Sequence, residues 1–177
     1  MRRYSSQIAF TIHFACLIAI ALLGFDAAAQ AQSIRIAALG ASNTAGKGVG
    51  ASAAWPAQLE GILRAKGYNV SMTVEALSGD TSAGILSRVA SIPAGTQIVL
   101  YDSGTSNDRK LGVSESVHQT NVAQIASQIR ARGALPIKVE YAGLPRQPDA
   151  IHLTAAGHAA LAARLAPQVI AAVGRRH

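Results

Sequence analysis

Two alternating hydrophobic periods constrain this chain more than anything else in it. Apolar runs of strand length lie at 34–39, 69–77, 97–101 and 135–141. Between them are segments whose apolar residues recur three and four positions apart. The segment 55–66 carries Trp55, Leu59, Ile62 and Leu63 and stops at Gly67; 117–132 carries Val122, Ile125, Ala126 and Ile129 and stops at Gly133. A short helix is predicted over 82–89, and a long terminal one over 154–173, capped by Thr154 and kinked or split at Pro167. Strands separated by helices of this length form βαβ units, so the pattern predicts an α/β fold with a parallel sheet covered on both faces.

The N-terminal residues read differently. Arg2 and Arg3 precede an apolar stretch over 8–25, broken by His13, and Ala29-Gln30-Ala31 follows. That order is a secretory signal with its processing site. The expectation is a signal peptide over 1–31, one domain over 32–177, and a periplasmic or secreted protein. The alternative is an N-terminal membrane anchor, since about 18 apolar residues can just cross a bilayer. Cys16, the only cysteine, lies in this segment. The expected mature domain therefore has no disulfide, cysteine nucleophile or thiolate metal site.

Half of the residues are apolar and 14% are charged, which favours a packed core over disorder. The formal charge of +7 comes from scattered cations (Arg64, Lys66, Arg88, Arg109, Lys110, Arg130 and Arg132 among them) without interleaved aromatic residues. Nucleic acid is not an expected partner. Peripheral contact with anionic surfaces is the partner consequence of the charge.

Ligands of open parallel sheets bind beyond the carboxyl ends of the strands. Each of the four loops there holds polar residues capable of chemistry. The first contains Gly40-Ala41-Ser42-Asn43, although a lone serine is as often a helix cap. The last contains Asp149-Ala150-Ile151-His152, where a tight turn can bring the carboxylate to Nδ1 and leave Nε2 to deprotonate a serine. The same pair can equally just order the helix entrance. Ser78-Gly79-Asp80-Thr81 and Gly104-Thr105-Ser106-Asn107-Asp108 hold donors for an oxyanion, and also typical turn residues. A phosphate-binding loop with Lys47 fails on spacing and on Gly48, and an α/β-hydrolase elbow fails at Thr44. His118, His152 and His158 are dispersed, so no metal is expected; His158 is expected at the surface of the last helix or half-buried in it.

Taken in order, Gly40-Ala41-Ser42-Asn43, Gly79, Asn107-Asp108 and Asp149-x-x-His152 resemble the four blocks of the SGNH (GDSL-like) hydrolases. The flanks Ala53-Ala54-Trp55-Pro56 and Ser78 to Ser82 are similar to those of bacterial periplasmic lysophospholipase/thioesterase members. The resemblance implies a three-layer α/β/α sandwich with a flavodoxin-like sheet of four to five strands. It implies Ser42 as nucleophile, His152 as general base, Asp149 as its orienting acid, and an oxyanion hole from Ser42, Gly79 and Asn107. No cofactor is implied. The substrate class would be acyl esters of a small alcohol, a lipid or a sugar, with short acyl groups, because Phe10, Phe14 and Phe25 all belong to the leader. Three departures stand out: Ala41 replaces the family's aspartate, the Asn107 block is one residue longer, and the chain from Asn107 to Asp149 is short. They make a catalytically weak or inactive module that binds glycans or lipids the alternative.

Overall fold

The computed structural model describes residues 33–175. The expected leader and its anchor alternative lie outside them. Strand β1 (Ile34–Gly40) leads into a one-turn helix α1 (Ser42–Ala45), and a 3-10 turn precedes α2 (Trp55–Ala65). Next come β2 (Val70–Ala76), α3 (Ser82–Ser87), β3 (Ile98–Tyr101) and α4 (Thr105–Lys110). Helix α5 (Glu115–Ala131), β4 (Leu135–Lys138) and α6 (Ala155–Gly174) complete the order.

The strands form one four-stranded sheet in the order β2-β1-β3-β4. All three pairings are parallel, with Ile36 beside both Met72 and Ile98, and Leu100 beside Ile137. This is the flavodoxin-like order without a fifth strand, and it reverses direction between β1 and β3.

Side-chain alternation builds a core on each face. Ile36 and Ala38 of β1, with Ile98 and Leu100 of β3, pack on Trp55, Leu59 and Leu63 of α2 and Leu161, Leu165 and Val169 of α6. Ala37, Leu39, Val99 and Tyr101 face the other way, onto Ile85, Val89, Ile125 and Ile129. The helices thus sandwich the sheet, as the alternating periods require. Each large side chain so buried contributes about 1.5–3 kcal/mol.

Departures from the expected boundaries have local causes. β4 stops at Lys138, not at 141, because its partner β3 ends at Tyr101, whose carbonyl takes the last ladder bond from Val139 N–H at 2.9 Å. α5 starts at Glu115 because the Ser114 hydroxyl caps it, accepting from Val117 N–H. The segments 42–45 and 105–110, read as loops, each close a short helix. α6 continues through Pro167 without dividing. That proline is on the exposed side, while Leu165, Ala166 and Val169 hold the helix to the core around it.

His158 is a clear correction: it is fully buried, not at the surface. Its place on the stripe with Leu161, Ala162 and Leu165 puts it against α2. There its Nδ1 accepts the N–H of Trp55 at 3.2 Å, doing for α2 what the Ala54 cap position cannot. Burial lowers its pKa, so it remains a neutral acceptor.

Leu161→Ala is expected to cost about 2–5 kcal/mol, since it opens a cavity where α6 meets α2. Urea denaturation measures this; a loss under 1 kcal/mol would place that contact outside the main core.

Candidate active site

The sheet reverses between β1 and β3, so a crevice opens where their carboxyl ends diverge. β1 ends at Gly40, which has to be glycine: a Cβ there would meet Thr44 Oγ1 at 2.2 Å and Asp102 Cβ at 2.8 Å. The chain then turns at Ala41 into α1 and presents Ser42 to a cavity of about 280 Å³. Ser42, Asp102, Ser103, Thr105, Asn107 and Tyr141 are among its lining residues.

The loop before α6 brings the expected partners to Ser42. Ser42 Oγ lies 3.0 Å from His152 Nε2, and His152 Nδ1 lies 2.5 Å from Asp149 Oδ2. Asp149 Oδ1 accepts the N–H groups of Ile151 and His152, each at 2.9 Å. The His152 side-chain bond, then those backbone bonds, hold the Asp149 carboxyl well below the usual carboxylate range. It stays ionised wherever an imidazole titrates, so it fixes the Nδ1–H tautomer and turns Nε2 toward the serine.

The oxyanion candidates stand differently. Asn107 reaches the cavity, but its Nδ2 donates to the Asp80 carbonyl at 2.7 Å. One amide hydrogen remains for a ligand. Gly79, at φ +88°, lies in the turn after β2 and is not among the residues lining the cavity.

Several contributors were not legible as such. Asn43, noted only as Ser42's neighbour, clamps the histidine loop on both sides of His152: Nδ2 donates to Ile151 O at 3.2 Å and Oδ1 accepts Leu153 N–H at 2.9 Å. Gln147 Nε2 adds bonds to Lys47 O and Leu153 O. Asp102 is buried under the nucleophile loop, bonded to the N–H of Gly104 at 2.9 Å and to the Tyr141 hydroxyl at 3.2 Å. Burial raises its pKa and those donors partly offset the rise. His118, which looked isolated, bonds Asp108 through Nδ1 at 2.7 Å and Thr105 through Nε2 at 3.3 Å. Among the described residues no group of three or more His, Cys, Asp or Glu could hold a metal ion.

Asn43→Ala strips the buried Leu153 N–H of its acceptor. The expected cost is about 1–3 kcal/mol, with faster hydrogen exchange at Leu153. Unchanged exchange there would mean that the amide does not hold the loop.

The model of the GDSL-like Lipase/Acylhydrolase family matches residues 38–150. Esterase TesA of Pseudomonas aeruginosa is 34% identical over 134 residues, which make up 75% of this chain and 63% of that protein. The chain therefore spans just under two thirds of that relative's length. The crystal structure of TesA superposes with a TM-score of 0.67 at 23% identity, covering 78% of this chain and 99% of that one. AlinE4, an SGNH-hydrolase family esterase, gives 0.57 at 25% identity, covering 77% and 74%. The chain belongs to the GDSL-like lipase/acylhydrolase family.

Proposed function

We propose that this protein is an exported serine esterase that hydrolyses acyl esters through an acyl-enzyme intermediate. The observation that carries the proposal is the unbroken series Asp149–His152–Ser42, with contacts of 2.5 and 3.0 Å. A serine hydroxyl is barely ionised near neutrality and needs such a base.

In the first step Ser42 Oγ attacks the ester carbonyl carbon while its proton moves to His152 Nε2. Asp149 stabilises the imidazolium so formed. The carbonyl oxygen becomes an oxyanion facing the N–H group of Ser42 and the remaining amide hydrogen of Asn107, with Gly79, expected as a third donor, standing outside the cavity lining. His152 then protonates the departing alcohol. Water, deprotonated by the same imidazole, attacks the acyl-Ser42 ester and releases the acid. The chemistry requires no metal or organic cofactor.

The size and polar lining of the cavity favour short acyl groups. The rim is cationic: Arg109, Lys110 and Arg146 border a neighbouring depression next to Ile151. Esters that carry a negative group, or sit on an anionic surface, are drawn to such a rim.

Ser42→Ala in the 32–177 protein is expected to abolish hydrolysis of p-nitrophenyl acetate and butyrate, and Asp149→Asn to lower it by about 10²–10⁴-fold. No turnover by the unmodified protein, with no labelling by a fluorophosphonate, would instead indicate a binding module for glycans or lipids. Raising the salt from 50 to 500 mM should slow hydrolysis of p-nitrophenyl hemisuccinate more than that of the neutral butyrate. Equal salt responses would remove the rim from substrate selection.

A further inference from the structure

The cavity that holds Ser42 has a second chain of hydrogen-bonded groups on its β3 side. Asp108 is 2% exposed and accepts the Ser82 N–H at 2.9 Å on Oδ1. Its Oδ2 meets His118 Nδ1 at 2.7 Å. His118 Nε2 meets Thr105 Oγ1 at 3.3 Å, and Thr105 Oγ1 meets Ser103 Oγ at 2.7 Å. Both hydroxyl residues line the cavity together with Ser42.

Donor and acceptor capacities fix the direction of this chain. Burial would raise the Asp108 pKa, but the bonds from Ser82 and His118 outweigh it and lower the value, so Asp108 is an ionised acceptor. An ionised carboxylate cannot donate, so Nδ1 of His118 carries the hydrogen. In a neutral ring Nε2 is then a bare acceptor and takes the Thr105 hydroxyl hydrogen. Thr105 Oγ1 accepts in turn from Ser103, whose own lone pairs remain for the cavity. This is the order of groups found at Ser42, with one hydroxyl added.

We propose that Ser103, Thr105, His118 and Asp108 form a second nucleophilic site, distinct from Ser42, that takes acyl or phosphonyl groups from activated esters entering the shared cavity. The site rests on the ester chemistry proposed above but not on its nucleophile. Ser103 Oγ attacks the carbonyl carbon, its proton passes to Thr105 Oγ1, and the Thr105 proton passes to His118 Nε2. Collapse of the tetrahedral adduct breaks the bond to the alcohol, which leaves with the proton returned from His118 through Thr105. The products are an ester on Ser103 and the free alcohol; attack by water along the same relay frees the acid. A purely structural role would need the carboxylate and imidazole to order α4 and α5, but not two hydroxyl groups in series ending at the cavity.

The test is fluorophosphonate labelling, read by tandem mass spectrometry of the 36–47 and 89–109 peptides. The unmodified 32–177 protein is expected to label at Ser42; without that, the esterase reading fails on its own account. Ser42→Ala is expected to label at Ser103, on the order of 10²-fold more slowly, since the proton must cross an additional hydroxyl. Adding His118→Gln or Ser103→Ala to Ser42→Ala is expected to remove that label. His118→Gln with Ser42 intact reports folding, by retaining the Ser42 label; if it does not fold, Ser103→Ala carries the test. Absence of any label in Ser42→Ala, a label at Thr105, Ser106 or elsewhere, or one that survives the added substitution in a folded protein would overturn the second site.

Discussion

The side-chain amide of Asn43 fixes where the rest of the site can stand. It is one residue from the serine, yet its two polar atoms hold Ile151 and Leu153, which flank the histidine more than a hundred positions away. A carbonyl needs a donor and an N–H needs an acceptor; among side chains of this length only an amide offers both. Aspartate would repel the Ile151 carbonyl, and an aliphatic residue would serve neither group. The loop is drawn onto α1 by backbone contacts, so the imidazole arrives at Ser42 through the rigidity of its neighbours. Its own long-range bond need only set the final angle.

Beneath this contact lies a buried carboxylate. Asp102 follows β3, and its backbone N–H donates to Leu39 O at 2.9 Å, so the end of β1 that leads into the nucleophile loop is tied to the neighbouring strand. A buried carboxylate is costly unless its lone pairs are filled. The Gly104 N–H fills one oxygen and the Tyr141 hydroxyl the other. Burial, then the Asp102 charge, pushes the Tyr141 phenol well up, so it remains a donor throughout the neutral range. Support for the serine loop thus comes from the adjacent parallel strand at the point where the sheet reverses.

Hydrophobic periods and punctuating glycines made the architecture legible. Strand alternation gave two faces, and helical spacing gave the layers that cover them. The approach of Ser42, His152 and Asp149 was legible only through the resemblance of four ordered blocks to the SGNH hydrolases, since the residues alone fitted a helix cap and a helix entrance equally well. What escaped were interactions whose meaning is purely spatial. His158 carries a polar label on an apolar stripe, and only the position of α2 shows that a backbone N–H waits for it. His118 is ten residues from Asp108 on a different helix, and no period announces that pair. Asn107 sat in the expected block, yet its amide reached Asp80, because a helical turn over 105–110 sets its direction.

The turn that delivers the histidine carries a conformational cost that its surroundings must offset. Ala150 is the only described non-glycine residue at positive φ, +58°, a region that costs an L-residue about 1–2 kcal/mol. Left-handed backbone at this point reverses the chain within three residues, which lets Asp149 Oδ1 accept two N–H groups while Oδ2 faces the imidazole. The bonds Ala150 N–H to Gln147 O and Gln147 N–H to His152 O, at 2.9 and 2.7 Å, close the same turn. The Asp149 carboxylate is thus filled on one oxygen by the backbone and on the other by the ring, and these bonds offset the cost at Ala150 while holding the imidazole between Asp149 and Ser42.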